Sequence, residues 1–309
     1  MKIVCTIIIP HKNAPELLRR CLDSIPSRED IQVIVVDDDS NPDVVDFAHF
    51  PGLNDPYTEI YFTKEGRRAG YARNVGLKKA RGKWIIFADA DDFFTGNLTK
   101  LIDRHKDSES DMICFTSLSV YSDDTDRPSK RDHNNKRILR FLENPDVQAE
   151  QQLRYGIPEP WGKMIRTSLL SDHSIVFEES MVANDYRFSL ETGHAAGSLY
   201  AEPEPIYTVT HRENSLSSQK LSFPLIKTRI HIFCRAHSFF RENSIPPVRE
   251  HFRYTMIWML RCKPHWYIRI CAALIRQDRK NIVNLVDAFR IMPRMIKEKT
   301  GDSERHTEK

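Results

Sequence analysis

The sequence predicts an α/β fold: a doubly wound, mostly parallel sheet followed by a helical C-terminal region. Two observations support this prediction. In the first half of the 309-residue chain, short apolar runs alternate with helix-like segments, as in sheets whose parallel strands are covered on both faces by helices. After Leu221 the pattern changes to consecutive helical segments. With 40% hydrophobic residues and only 11 glycines, the chain is neither a disordered nor a collagen-like protein.

The predicted strands of the first half are recognised by continuous apolar sequence. The runs at 4–9 and 31–36 are short and almost entirely apolar, as is typical of buried strands, and the second is rich in β-branched residues. Similar runs at 59–63, 83–88 and 112–120 predict three further strands.

The predicted helices show apolar residues at helical spacing. The segment 14–27 places leucines and a cysteine on one stripe, and 69–81 ends before Gly82, a residue favoured just past a helix end. A polar, turn-rich loop follows at 122–135. The remaining elements expected are a helix at 137–153, a strand at 198–209, and C-terminal helices at 224–241, 247–262, 265–276 and 280–297.

Charge divides the chain into two predicted domains. From Lys220 onward there are 19 Lys and Arg against 8 Asp and Glu, whereas the first 219 residues carry 27 basic and 35 acidic residues. This division predicts an acidic catalytic-type domain at 1–219 and a basic helical region at 220–309, and the polar loop separates two halves of the first domain, 1–122 and 136–219. The basic region either faces an anionic partner or presents a solvated helical face.

Cysteine spacing and hydropathy bear on the location of the protein. The six cysteines show no CxxC and no paired spacing, which is typical of reduced, buried thiols in a cytoplasmic protein. No run of about 18 uncharged apolar residues occurs, so we expect no membrane-spanning helix.

Carboxylates follow two of the predicted strands directly. Asp37, Asp38 and Asp39 come after one strand, and Asp89, Asp91 and Asp92 come after another. In open α/β sheets ligands bind at the carboxyl ends of strands, where clustered carboxylates repel one another unless a cation is present. Oxygen ligands suit Mg²⁺ or Mn²⁺, which complete their shell with phosphate and water, so a diphosphate ligand is predicted. Alternatively, these residues are helix caps and turn formers.

Other phosphate-binding motifs are excluded by spacing. The segment 70–76 resembles a P-loop, but five residues rather than four separate its glycines, and Leu77 stands where the P-loop lysine should be. No GxGxxG follows the first strand, and neither HExxH nor GxSxG occurs. The sequence therefore favours a diphosphate held through a metal ion.

Several ordered motifs resemble those of family 2 glycosyltransferases with the GT-A fold. They are TIIIPHKN at 6–13, VVDDDS at 35–40, GYARNVG at 70–76 and FADADD at 87–92, with later landmarks WGKMIR at 161–166 and ANDYRF at 183–188. The resemblance covers roughly residues 1–215. It implies a GT-A fold whose first half binds a nucleotide-sugar and whose second half binds the acceptor.

The resemblance also implies an activity and a set of site residues. The activity is inverting, metal-assisted transfer of one sugar from a UDP-sugar to a saccharide or glycolipid hydroxyl, in bacterial surface polysaccharide or glycolipid assembly. For the nucleotide, the resemblance implies a base pocket lined by Pro10, His11 and Asn13, a hydrogen bond from the uracil ring to Asp38, and a neighbouring helix that carries Arg73 and Asn74. For the metal, it implies that Asp92 ligates Mn²⁺ or Mg²⁺ directly, that Asp91 contacts both the ribose and the metal, and that Asp89 supports the loop. It implies that Asp185 is the general base.

Three residues depart from the family pattern. Asn184 stands where the family usually has Glu, Asp39 replaces a usual Gly, and His11 replaces a usual aromatic residue over the base. Asn184 removes a charge beside the implied base. An alternative function therefore stays open: a catalytically degenerate module that binds a nucleotide-sugar or a protein partner.

Three further residues have both a functional and a structural interpretation. Trp161 could stack against an acceptor sugar or belong to the core, and Lys163 could reach the diphosphate or lie at the surface. His211 could ligate Mn²⁺, although a single histidine is more often structural.

Basic and aromatic residues are interleaved through 253–280. This pattern suits peripheral contact with an anionic membrane, such as the inner face of the cell membrane, carrying a lipid-linked acceptor. Alternatively, the aromatic stripes pack on the catalytic domain or on a second copy in a homo-oligomer. We expect no nucleic-acid partner.

Overall fold

The computed structural model describes residues 2–212, 222–245, 264–277 and 279. The chain divides into two units, Met1–Gln219 and Lys220–Lys309.

The first half of the first unit is a parallel sheet with alternating helices. Its strands are β1 (Cys5–His11), β2 (Ile31–Asp38), β3 (Thr58–Thr63) and β4 (Trp84–Phe87), and its helices are α1 (Pro15–Asp23) and α2 (Arg68–Leu77). The order β3-β2-β1-β4 is parallel throughout. All residues of β1, β2 and β4 are buried, which explains their continuous apolar sequences.

The second half extends the same sheet, giving the strand order β3-β2-β1-β4-β7-β6-β8-β5. Its elements are β5 (Phe93–Phe94), α3 (Leu98–His105), β6 (Met112–Tyr121), α4 (Asn135–Glu143), α5 (Val147–Tyr155), β7 (Lys163–Arg166), α6 (Thr167–Asp172), α7 (Tyr186–Ala195) and β8 (Leu199–His211). β7 runs antiparallel to both of its neighbours, whereas β6 and β8 are parallel. The predicted α/β class with a mostly parallel sheet is confirmed.

Two predicted helix boundaries are wrong. The single helix expected at 137–153 is two helices, because Asn144 precedes Pro145 and adopts extended backbone (φ −150°, ψ 96°). Asp146 then caps α5 by accepting a hydrogen bond from the Ala149 amide. The helix expected at 69–81 ends at Leu77, so Gly82 is not the residue that ends it. A glycine is needed at position 82 for a different reason. A Cβ at Gly82 would lie 2.5 Å from a backbone atom of β1.

The described part of the second unit consists of α8 (Phe223–Glu242) and α9 (Pro264–Gln277), which match two predicted helices. Apolar side chains of the two helices form one buried cluster that contains Ile226, Ile230, Cys234, Ile270 and Leu274. The apolar stripe of α9 therefore packs on protein within this unit. The helices expected at 247–262 and 280–297, and most of the interleaved segment 253–280, lie outside the described residues.

None of the described helices is both long enough and apolar enough to span a bilayer.

Candidate functional site

The carboxyl ends of β1, β2 and β4 meet at one edge of the sheet. His11 at the end of β1 lies opposite Asp37 at the end of β2, and β4 pairs with β1 in parallel through Phe87 opposite Ile8. The loops that carry Asp38 and Asp89 therefore leave the sheet on the same side, as the sequence predicted.

His11 is held between two protein groups. Its Nε2 accepts a hydrogen bond from the Ala14 amide at 3.1 Å, so Nδ1 carries the proton and donates to Asp37 Oδ2 at 2.7 Å. The ring is buried and contacts Phe50 edge-to-face, with 5.3 Å between centroids. Burial favours the neutral Asp37 carboxyl, but the hydrogen bonds from His11 and Ser40 hold its pKa below the ordinary value. This geometry gives His11 a role in fixing the β1–β2 loops.

Asn13 shapes the same corner of the site through its backbone. It adopts a left-handed conformation (φ 54°) directly after the buried Pro10–His11 pair. Its amide donates to Ser40 Oγ, and its side-chain oxygen accepts from the Asn41 amide. The predicted pocket residues Pro10, His11 and Asn13 thus lie together beside β2.

Asp38 is buried and accepts hydrogen bonds from the loop before α2. Its Oδ1 accepts from the Arg67 amide at 3.0 Å and from Thr63 Oγ1 at 3.2 Å, and its Oδ2 accepts from the Arg68 amide. Arg68 has a left-handed backbone (φ 76°). The carboxylate that the resemblance assigns to uracil recognition therefore also anchors the entry to α2.

Asp89, Asp91 and Asp92 form a compact acidic cluster. One oxygen from each lies within 4.8 Å of the others, a spacing that one metal ion can bridge. Burial and the neighbouring carboxylates raise the pKa of Asp92 well above its ordinary value and raise that of Asp91 as well. Carboxylate oxygens are the donors that Mg²⁺ and Mn²⁺ prefer, so the residues present fit such an ion.

The three carboxylates differ in how their oxygens are used. Both oxygens of Asp92 are bonded inside the fold, to the Tyr207 hydroxyl at 3.0 Å and to the Thr210 amide at 2.6 Å. Asp91 and Asp89 are partly exposed instead, with 30% and 34% of their side chains accessible. Asp92 therefore ties the cluster to β8, and Asp89 and Asp91 present the accessible oxygens.

Arginines balance the accessible carboxylates. Arg73 donates to Asp89 Oδ1 at 2.5 Å, and Arg212 donates to Asp91 Oδ2 at 2.9 Å. The expected repulsion among the carboxylates is thus offset by the protein itself.

Asn184 has a defined partner. Its Oδ1 accepts a hydrogen bond at 2.9 Å from Arg73, the same guanidinium that pairs with Asp89. Arg73 is buried, lies 5.2 Å from the Phe177 ring and leaves its Nε without a hydrogen bond. A neutral amide at position 184 accepts from Arg73 without competing as a charge with Asp89, so the departure from Glu is compatible with an ordered site.

Asp185 directly precedes α7, but its side chain does not cap the helix. No capping hydrogen bond forms, and within the described part of the chain no donor bonds to its carboxylate. Burial raises the pKa of Asp185 to about 6, and the guanidinium of Arg73 opposes that rise. A partly exposed carboxylate with free lone pairs and a raised pKa can accept a proton near neutral pH.

Asn74 bonds to the backbone of Phe177 in both directions. Its Nδ2 donates to the Phe177 carbonyl at 2.9 Å, and its Oδ1 accepts from the Phe177 amide at 2.8 Å. α2 approaches this segment so closely that a Cβ on Gly70 would lie 2.2 Å from the Glu178 carbonyl oxygen. Asn74 therefore fastens the segment leading to Asn184 onto α2.

Replacing Asn74 with Ala should lower the free energy of unfolding by ~2–4 kcal/mol, because two buried backbone groups lose their partners. Urea denaturation measures this loss. The comparison variant is Asn135→Ala, because the Asn135 side-chain amide likewise bonds the backbone of one residue, Ser117. If Asn74→Ala keeps its stability and loses UDP affinity, the residue contacts the nucleotide directly, as the resemblance implies.

Trp161 and Lys163 both lie inside the fold. Trp161 stacks on Tyr207 with ring centroids 5.4 Å apart, and it is 7% exposed. Lys163 is 3% exposed and donates to the Ile157 carbonyl at 2.7 Å, and burial lowers its pKa. Trp161 is therefore a core residue, as its structural interpretation expected, whereas the expectation that Lys163 lies at the surface is wrong.

His211 lies at the end of β8 and packs edge-to-face on Tyr121, 5.2 Å away. Among the described residues, the group close enough to share a metal consists of Asp89, Asp91 and Asp92, without His211.

Tyr207 and Arg212 were missed by sequence reasoning. The Tyr207 hydroxyl donates to Asp92 and accepts from the Asp89 amide at 2.8 Å, which fixes the acidic loop against β8. The sequence signal was their position on or just after the strand expected at 198–209.

Comparison with known proteins decides the family. A family model described as Glycosyl transferase family 2 matches residues 6–173, more than half of the chain. The chain belongs to glycosyltransferase family 2. Two curated relatives are the putative glycosyltransferase EpsH of Bacillus subtilis (strain 168), 23% identical over 255 residues, and the succinoglycan biosynthesis protein ExoO of Rhizobium meliloti (strain 1021), 25% identical over 226 residues. These matches cover 77% and 69% of this chain. The chain spans 70% of EpsH and 62% of ExoO, less than two thirds of the latter.

Solved structures show the same fold. S. aureus TarS 1–349 in complex with UDP-GlcNAc superposes with a TM-score of 0.56 at 22% identity, covering 75% of this chain and 66% of that one. The mannosyltransferase PcManGT of Pyrobaculum calidifontis, in complex with GDP-Man and Mn²⁺, superposes with a TM-score of 0.55 at 18% identity, covering 98% and 80%. The GT-A fold expected for this family 2 glycosyltransferase chain is confirmed.

Proposed function

We propose that this chain transfers one sugar from a UDP-sugar to an acceptor hydroxyl, with inversion at the anomeric carbon and with the assistance of Mn²⁺ or Mg²⁺. The observation that carries the proposal is Asp185, whose carboxylate accepts no hydrogen bond from the residues that the structure describes. Through Asn184 and Arg73 it is connected to the accessible carboxylates of the acidic cluster. The relative ExoO, a succinoglycan biosynthesis protein, supports a role in polysaccharide assembly.

The chemistry follows from that arrangement. Asp185 accepts the proton of the acceptor hydroxyl as its oxygen bonds to the anomeric carbon, while the bond from that carbon to the diphosphate oxygen breaks and UDP leaves. A single base on the face opposite the leaving group gives in-line displacement and inversion. A divalent cation held by Asp91 and Asp92, with Asp89 beside them in the same cluster, would supply a Lewis acid for the negative charge of the departing diphosphate.

Within this proposal the catalytic domain comprises residues 1–219, with the donor bound by 1–122 and the acceptor by 136–219. Asp38 would accept the hydrogen bond of the uracil ring alongside its bonds to the α2 loop, since each carboxylate oxygen has two lone pairs. The acceptor is a saccharide or a glycolipid.

A thermal-shift screen of nucleotide-sugars tests the donor class. UDP and a UDP-sugar should raise the melting temperature in Mn²⁺ by mass action, and the shift should fall in excess EDTA. GDP-sugars serve as the control, because Asp38 is proposed to read a uracil ring N–H. Equal shifts by UDP and GDP ligands, or equal shifts with and without Mn²⁺, would contradict the proposal.

The alternative is a catalytically degenerate module that binds a nucleotide-sugar or a protein partner. It was suggested by Asn184, but the hydrogen bond of Asn184 to Arg73 removes the main structural reason for it. UDP release from a UDP-sugar in the presence of an acceptor saccharide separates the two functions, since a binding module releases none.

A further inference from the structure

Arg212 pairs with an accessible carboxylate of the acidic cluster. Its Nη2 lies 2.9 Å from Asp91 Oδ2, and the two side chains are 42% and 30% exposed. The loop beneath this pair is fixed independently, because Thr210 Oγ1 donates to the Asp91 carbonyl at 2.8 Å and Arg20 donates to the same oxygen at 2.6 Å. The Arg212–Asp91 ion pair can therefore open without releasing the loop.

The two arginines of the cluster differ in how they are held. The side chain of Arg73, which pairs with Asp89, is 6% exposed and also bonded to Asn184, so its departure would leave buried groups without partners. Arg212 has solvent access, and within the described part of the chain its side chain bonds to Asp91. Of these two cations, Arg212 is the one that can exchange its partner at low cost.

We propose that Arg212 is an exchangeable counter-ion, which neutralises Asp91 in the unliganded protein and transfers to the donor's diphosphate when a divalent cation takes Asp91. This inference rests on the proposed function, because it assumes that a metal-bound nucleotide diphosphate occupies this edge of the sheet.

Charge balance explains both halves of the exchange. A guanidinium bonded to Asp91 and a divalent cation ligated by it compete for the same carboxylate, and electrostatic repulsion disfavours holding both there. A metal-bound nucleotide diphosphate would bring phosphate oxygens to the same edge. The planar fork of Arg can donate two parallel hydrogen bonds to such oxygens. The Arg212 guanidinium therefore moves from the Asp91 carboxylate to the diphosphate, and an anion neutralises its charge in both states.

The variant Arg212→Gln gives two effects of opposite sign. Affinity for Mn²⁺ alone, measured by electron paramagnetic resonance of the free ion, should rise ~2–5-fold, as expected when an exposed ion pair no longer competes. Affinity for UDP at saturating Mn²⁺, measured by calorimetry, should fall ~10-fold or more, the loss expected for a charge-assisted hydrogen bond. Arg212→Lys should recover part of the UDP affinity, since it keeps the charge but not the fork.

Arg81→Gln is the matched control, because Arg81 forms an ion pair of similar exposure with Glu59 on β3. It should change neither affinity. Unchanged Mn²⁺ affinity in Arg212→Gln, unchanged UDP affinity, or a loss of both affinities would each overturn the exchange. If the unmodified protein binds no UDP in Mn²⁺, the proposed function fails instead, and the two failures are distinguished.

Discussion

Sugar transfer by Asp185→Asn should be slower by ~10²-fold or more, with affinity for the UDP-sugar within a few-fold of the unmodified protein. Asn cannot accept the acceptor's proton, yet it has the same shape, and among the described residues no hydrogen bond to the carboxylate is lost. The donor therefore still binds, while the chemical step loses its base. Single-turnover kinetics and UDP calorimetry measure the two quantities separately.

The same carboxylate predicts a pH dependence. Since burial raises the pKa of Asp185 to about 6, the base is protonated and inactive below that pH and ionised above it. The turnover rate of the unmodified protein should fall about tenfold for each pH unit below 6. The turnover rate of Asp185→Asn should not show this decrease below pH 6.

Glu191→Gln is the control variant for this pair of measurements. It makes the same chemical change on α7, but Glu191 pairs with Arg187 on the helix surface. Its rate and pH profile should match those of the unmodified protein. Transfer by Asp185→Asn at the unmodified rate would show that the base lies elsewhere and that Asp185 serves only the start of α7.

The edge of the sheet that carries the site could be predicted because it follows from strand direction. Parallel strands deliver their carboxyl ends to the same side, so acids after two such strands must lie near one another. The placement of Asp38 and Asp89 required no knowledge of side-chain packing. The break between α4 and α5 could also have been predicted, since Asn144 precedes a proline.

The partners of the acidic residues could not be predicted in this way. Asp92 bonds to Tyr207, 115 positions away, and Arg73 bonds to Asn184, 111 positions away. Such pairs depend on how β8 and the segment before α7 return to the sheet. Trp161 and Lys163 show the same limit, because each has a polar group that the sequence allowed to face a ligand and that the fold buries.

Two acids of the cluster, Asp91 and Asp92, should respond differently to substitution. Asp91→Asn should weaken UDP binding in Mn²⁺ by ~10²-fold or more, because even the outer partners of metal ligands are worth 10–100-fold in affinity. The fold should be little affected, since Asp91 is partly exposed and its loop is fixed through backbone contacts. Calorimetry with UDP in Mn²⁺ and in EDTA measures the metal-dependent share of the affinity.

Asp92→Ala should instead lower stability, by ~2–4 kcal/mol, because the buried Tyr207 hydroxyl and Thr210 amide lose their acceptor. Relief of repulsion from Asp91 and Asp89, which raises the pKa of Asp92, offsets part of this cost. Urea denaturation measures the loss, and calorimetry in Mn²⁺ and in EDTA should show weaker metal-dependent UDP binding in the folded variant, because Asp92 belongs to the group proposed to hold the metal. If Asp92→Ala keeps full stability and loses the metal dependence while Asp91→Asn retains it, Asp92 is the direct ligand that the family resemblance implies.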